Sequence, residues 1–182
     1  MKHVDGKLRL LFVGRLELLK GIHTLIKAIR GFTNEALEIV LVGKILPEAI
    51  PFIQPCPENI TFTGPVNKEQ LSKIYSDADA LIFPSLNDAF GMVILEAMAH
   101  GLPVIGSRFS AAPDIIEHGI DGYILDSNTP EAVAESISWA IDNKEYLAEM
   151  GEKARQKVMS HYTLEHYFSR LESNLNYAGF EI

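Results

Sequence analysis

Short apolar runs punctuate this 182-residue chain, and their hydrophobicity is continuous rather than alternating. Leu8–Val13 (LRLLFV) and Leu37–Val42 (LEIVLV) are the clearest cases. A strand that presents apolar side chains to both faces must be covered on both, which is the situation of a parallel sheet flanked by helices. Ile60–Thr63, Ala80–Phe83, Pro103–Ser107 and Gly122–Leu125 read as four more strands. Helical patterns near residues 21–31, 67–76, 91–100 and 112–118 separate them. The β-α-β-α rhythm, with short Gly- or Pro-containing joints, predicts an α/β fold: a doubly wound parallel sheet of about six strands with helices on both faces. The proline-rich stretch 44–57 has no clear assignment.

The final third changes character. Thr129-Pro130 is a helix start, with a hydroxyl at the N-cap and proline at the first helical position. Val133, Ile137, Ala140 and Ile141 follow at helical spacing, a second helix is expected near 144–159, and a third near Thr163 carries Leu164, Tyr167, Phe168, Leu171 and Leu175 as its stripe. The expectation is a single domain spanning 1–182 with a helical tail, a length sufficient for a continuous core. Sixteen Lys and Arg against 24 Asp and Glu give a net charge of −8, which argues against a nucleic-acid partner. The single cysteine, Cys56, permits neither an intrachain disulfide nor a thiolate metal cluster and fits a reducing, cytoplasmic setting. The opening MKHVDGKLRL lacks the apolar stretch of a signal peptide, and nowhere do eighteen apolar residues run together.

Ligands of an open parallel sheet bind at the carboxyl ends of its strands, where loops meet helix N-termini. Two loops stand out on that rule. Gly14-Arg15-Leu16-Glu17-Leu18-Leu19-Lys20-Gly21 sets two cations between glycines in an otherwise acidic chain. Arg15 and Lys20 are either ordinary surface charges or a diphosphate clamp, with Arg as a fork and Lys as a point charge. The second loop runs from Pro84 through Asp88, Phe90 and Gly91 into an almost wholly apolar helix that is expected to be buried, with Glu96 as its exception. An ionised carboxylate there needs donors, which a vicinal diol of ribose would supply; the alternative is a basic partner or open water. Asp88 is either an N-terminal cap or an acceptor for sugar hydroxyls. Gly91 would let a phosphate approach the free N–H groups of the helix start.

Phe83–Gly101 (FPSLNDAFGMVILEAMAHG), followed by Pro103-Val104-Ile105, resembles the donor-site signature of retaining family 4 glycosyltransferases of the GT-B type. That pattern has two acidic residues separated by seven positions around an F-G, then E-A-M-A-x-G-x-P-V-I. Other segments agree in order: Val13-Gly14-Arg15-Leu16 with Lys20-Gly21, Leu41-Val42-Gly43, Phe62-Thr63-Gly64-Pro65-Val66, Tyr75-Ser76-Asp77-Ala78-Asp79, Asp121-Gly122-Tyr123, and Met150-Gly151 with Ala154-Arg155. The likeness covers about residues 7–178. It implies a nucleotide-sugar-binding domain of a metal-independent hexosyltransferase that takes a UDP-, GDP- or ADP-linked sugar and serves polysaccharide or glycolipid assembly. Arg15 and Lys20 would hold the donor diphosphate and Asp88 the transferred sugar, these three being the expected catalytic residues. Glu96 would bind the ribose. Gly14 and Phe90 would line the site, the backbone of Gly91, Met92 and Val93 would meet phosphate and sugar, and Val66 would face the nucleobase.

The resemblance also implies a partner. GT-B enzymes pair two Rossmann-like domains, with the acceptor site on the N-terminal one. The chain therefore reads as the C-terminal half, expected to bind nucleotide without transferring sugar alone, with membrane contact only through the absent half. Its last helix resembles the segment that crosses back to the N-terminal domain.

Three departures stand out. Asp88 replaces the usual Glu, setting the carboxylate back by about 1.5 Å, one C–C bond. The family's G-x-G-P reads Gly43-Lys44-Ile45-Leu46, and its Gly-Gly-x-Pro-Glu reads Ser110-Ala111-Ala112-Pro113-Asp114.

Other chemistries lack their marks. Asp77-Ala78-Asp79 matches a D-x-D metal motif but precedes a strand, which puts it at the sheet's amino end. No dinucleotide or P-loop fingerprint follows a strand, and His3, His23, His100, His118, His161 and His166 show no ligand spacing. A GT-B-fold epimerase or phosphorylase, and a degenerate non-catalytic nucleotide-binding domain, are the alternatives.

Overall fold

The computed structural model describes residues 6–88 and 90–177; His3 lies outside them, as does Ala89 within the loop that carries Asp88. Six strands form one parallel sheet: β1 (Leu8–Val13), β2 (Leu37–Val42), β3 (Ile60–Gly64), β4 (Ala80–Phe83), β5 (Val104–Ser107) and β6 (Gly122–Leu125). Their spatial order is β3-β2-β1-β4-β5-β6. The chain thus winds outward from β1 to one edge, returns, and winds outward from β4 to the other. The reversal leaves a crevice between β1 and β4 at their carboxyl ends.

Among the described residues, eight α-helices accompany the strands: α1 (Ile22–Ile29), α2 (Ile50–Ile53), α3 (Lys68–Asp77), α4 (Met92–Ala99), α5 (Ala112–Ile115), α6 (Pro130–Asp142), α7 (Lys144–His161) and α8 (Leu164–Tyr177). The pleat divides the apolar residues between two cores. Leu8, Leu10 and Phe12 of β1 join Ala80 and Ile82 of β4 under α1, α2 and α6. Leu11, Leu81 and Phe83 point the other way and pack with Tyr75, Ile94, Ala97, Met98 and Ala154 of α3, α4 and α7. Continuous runs in the sequence therefore mean two covered faces. The cover on the second face is close: a Cβ at Gly151 of α7 would stand 2.1 Å from the Gly101 carbonyl oxygen, just past the end of α4.

The proline-rich stretch resolves into a 3-10 turn at Pro47–Ala49 followed by α2. The helix expected over 112–118 stops at Ile115, because Asp121 Oδ1 takes the Glu117 N–H at 2.8 Å and the backbone of Ile116 is already extended. Thr129 caps α6 as expected, accepting from Ala132 N at 3.2 Å. α3 starts on a reciprocal cap between Asn67 and Gln70. The stripe of α8 is not covered by the described residues: no residue of α8 is buried, and Leu164 is 74% exposed.

Candidate functional site

The carboxyl edge is drawn together by glycines. A Cβ at Gly43 would sit 1.9 Å from the Gly14 carbonyl oxygen, so the connection leaving β2 lies directly on the one leaving β1. Leu16 N donates to Lys44 O at 2.9 Å and Leu46 N to Leu16 O at 3.1 Å, which extends the parallel pairing past the sheet. Gly21 has φ +72°, and a Cβ there would stand 1.9 Å from the Pro84 carbonyl oxygen. The β1 connection is thereby pressed onto the β4 connection. Buried Ser85 donates from Oγ to Leu19 O at 3.2 Å, and Leu86 N donates to the same carbonyl at 2.8 Å.

This contact delivers Lys20 to Asp88. The ammonium pairs with Asp88 Oδ2, while Oδ1 accepts from Phe90 N at 3.2 Å and Gly91 N at 3.0 Å. Asp88 therefore ties down the turn that leads into α4 and neutralises Lys20 at once; α4 itself, whose N-cap is Gly91, has no side-chain cap among the described residues. Burial on its own would raise its carboxyl, but the Lys20 hydrogen bond, the amide of Gly91, the Lys20 charge and the amide of Phe90 together hold it below the ordinary carboxylate value. Gly91 adopts φ +53°, enclosed by Ala111 and Ile94, and α4 leaves from it. The N–H groups of Met92 and Val93, in the first turn of α4, have no intrahelical acceptor. Phe90 is 80% exposed at the rim.

Arg15 extends into solvent, its side chain 67% exposed, and meets Glu17 at 3.1 Å. Glu17 itself is buried, and sequence reasoning passed over it. Its signal was an acidic residue between two cations on a glycine-bracketed loop. Asn128, beyond β6, was also passed over: its Nδ2 donates to Pro84 O at 3.2 Å and Ser85 O at 2.9 Å and so holds the β4 connection from the far side. No local pattern marks such a residue. Val66 is half-buried where β3 passes into α3, and Gly14 closes β1.

The helix that carries Glu96 departs from expectation. It is not wholly buried: Ile94, Ala97 and Met98 face the core, while Met92 is exposed along with Glu96, the exception the sequence marked. The carboxylate meets water rather than an apolar interior, and its Oε2 accepts from the Tyr75 hydroxyl at 3.1 Å. At the opposite edge of the sheet, Asp79 pairs with the β1 backbone, its Oδ2 accepting from Arg9 N at 2.8 Å. Among the described residues, no group of three or more His, Cys, Asp or Glu is arranged to hold a metal, and no helix is long and apolar enough to cross a membrane.

Residues 2–157 match the profile of the family described as glycosyl transferases group 1. The D-inositol 3-phosphate glycosyltransferase of Corynebacterium glutamicum (strain R) is 32% identical over 155 residues, covering 79% of this chain and 37% of that protein. Among solved structures, Alr3699/HepE of Anabaena in complex with UDP and glucose superimposes with a TM-score of 0.82 at 22% identity, over 94% of this chain and 48% of that one. The C-terminal domain of a glycosyl transferase group 1 family protein (LpcC) from Francisella tularensis gives 0.75 at 20% identity, over 86% of this chain and 87% of that one. The chain spans well under half the length of the curated relatives it matches.

Proposed function

The chain belongs to the group 1 glycosyl transferases, and from that premise we propose that it is the nucleotide-sugar-binding domain of a metal-independent, retaining hexosyltransferase. The observation that carries the reading is the meeting of Lys20 with Asp88 at the amino end of α4, in the crevice where the sheet reverses direction. A cation, a carboxylate and unfilled backbone amides converge there. A donor diphosphate would exchange places with Asp88 as the partner of Lys20, with Arg15 as its second cation. Both charges would then face the oxygen on which charge develops as the glycosidic bond breaks, and so lower the barrier without a metal. Asp88, released toward the sugar, would accept from its hydroxyls, the Met92 and Val93 amides would meet phosphate and sugar, and Glu96 would accept from the ribose. Gly14, Phe90 and Gly91 would line the pocket, and the backbone at Val66 would face the base. The UDP and glucose in Alr3699/HepE support a nucleotide-sugar ligand.

The acceptor, a saccharide or a lipid-linked sugar, is assigned to an N-terminal domain. The fraction of relatives that the chain spans supports this, as does the LpcC C-terminal domain taken alone. The uncovered stripe of α8 is the face assigned to that partner. The lone cysteine supports a cytoplasmic location.

Thermal unfolding of this chain with UDP, GDP and ADP and their sugar conjugates tests the reading. Saturation at about 100 times Kd adds roughly 2.7 kcal/mol, a rise in Tm of about 5–11 °C for a chain of this length. One nucleotide should give that rise, and Arg15→Ala and Glu96→Ala should each reduce it. No rise with any nucleotide, or a rise unaffected by both variants, would remove the assignment.

A further inference from the structure

Away from the Lys20–Asp88 contact, a second polar constellation lies between α3 and α4. A cleft of about 280 Å³ is lined by Lys68, Leu71, Ser72, Tyr75, Glu96 and His100. Residues 68, 71, 72 and 75 share one face of α3, and 96 and 100 one face of α4. Tyr75 is 1% exposed, and its ring stacks on His100 with centroids 4.8 Å apart and planes 21° from parallel. His100 Nδ1 lies 2.8 Å from the Glu96 carbonyl oxygen. A carbonyl only accepts, so Nδ1 carries the proton. In the neutral ring Nε2 is then an acceptor, and it meets the Ser72 hydroxyl at 3.0 Å. Burial, and then the Glu96 charge, push the Tyr75 phenol far above its ordinary range, so it stays a proton donor.

A glutamate on the outside of a helix ordinarily samples several rotamers and loses that freedom when it grips a ligand. Here the carboxylate is tied at Oε2 to a buried phenol on the neighbouring helix. The backbone of the same residue is tied to the imidazole on which that phenol's ring stacks. We propose that Tyr75 is a positioning residue for Glu96: by holding Oε2 it presents Oε1 to a ribose hydroxyl, and His100 keeps the phenol and α4 in register. Glu96 then meets the ligand already oriented, and discrimination between ribose and deoxyribose rests on the pair rather than on the carboxylate alone. The inference rests on the nucleotide-binding reading of Glu96.

The test is calorimetric titration of the purified chain with UDP, GDP and ADP, then with the 2′-deoxy and 3′-deoxy forms of whichever binds tightest. Tyr75→Phe and Glu96→Gln are compared with wild type. Removing one ribose hydroxyl should weaken wild-type binding about 3- to 10-fold, and Tyr75→Phe should weaken ribonucleotide binding by a similar factor. Against the deoxy form the Tyr75→Phe loss should shrink to about twofold or less, because the contact it prepares is gone. If Tyr75→Phe leaves affinity unchanged, or weakens ribo and deoxy ligands equally, the positioning role is wrong while the site stands. If no nucleotide binds, or Glu96→Gln binds as wild type does, the nucleotide-binding reading falls and takes this inference with it. Deoxy ligands leave the protein intact, so their effect on wild type is independent of whether a variant folds.

Discussion

Lys20 and Asp88 form an ion pair that bridges the connection after β1 and the connection after β4, and the same carboxylate accepts from the Phe90 and Gly91 amides just ahead of α4. One side chain thus satisfies two backbone amides of the turn before α4 and one ammonium. Asp88→Ala removes the pair and the amide contacts together and should cost about 1–2 kcal/mol, read as a fall in Tm of roughly 2–8 °C. Asp88→Asn keeps an acceptor for the amides and loses only the pair, so its fall should be smaller. Equal losses in the two variants would mean that the amide contacts contribute nothing.

The same pair sets a pH dependence. The folded-state pKa of Asp88 lies below its ordinary value of 3.8, so the stability it confers is present above that pH and lost as pH falls through the folded value. The stability gap between wild type and Asp88→Asn should therefore be full at pH 6 and narrow below pH 3.8. Urea unfolding of both proteins across that range measures it.

His23 titrates with the same sign, nearer neutrality. Burial first and the Lys27 charge second lower its pKa from 6.5, so the folded state disfavours the imidazolium. Stability from the neutral ring is complete above pH 6.5 and declines as pH falls below it. The Tm of wild type should drop more between pH 7.5 and 5.5 than that of His23→Leu. A parallel drop in both would assign the effect to other groups.

Gly21→Ala tests how closely the two connections must approach. A methyl there meets the Pro84 carbonyl and sits at φ +72°, whereas at Gly119, with φ +79°, it meets nothing within 4 Å. The left-handed backbone alone costs an alanine about 1–2 kcal/mol. Gly119→Ala should lower Tm by about 3 °C and Gly21→Ala by roughly 10 °C, since the second must also push the loops apart. Only Gly21→Ala should also weaken nucleotide binding.

The exposed stripe of α8 makes a contrasting prediction. Phe168→Ser removes an apolar ring that no described residue buries, so Tm of this chain should move by no more than about 2 °C. The same change in a longer protein carrying the proposed N-terminal domain should impair activity.

The sheet was legible because its strands are coded locally: Leu8–Val13, Leu37–Val42, Ala80–Phe83 and Gly122–Leu125 carry both faces in consecutive residues, and their bounds agree with the structure. The carboxyl-edge loops were legible because topology dictates where binding residues gather, which brought Lys20 and Asp88 under suspicion before any contact was visible. What escaped was decided by tertiary contact. Glu96 stood out as the exception in an apolar stretch, but that Met92 shares its wet side is told only by the packing of Ile94, Ala97 and Met98. Asn128 acts on carbonyls more than forty residues away in sequence, and Glu17 pairs locally with Arg15 but is buried by the fold around it. The helix after Ser110 was overextended because Asp121, arriving from a later turn, takes an amide that the helix would have used.

The contact between Gly151 and Gly101 reaches the candidate site through α4. α4 is clamped at its carboxyl end, where α7 rests on the Gly101 carbonyl, and it is loaded at its amino end, where Asp88 and Gly91 lie. It behaves as a cantilever: any side chain wedged in at position 151 levers the whole helix and carries Glu96 with it. The candidate site is thus held from behind, by an absence of atoms at a buried position of α7.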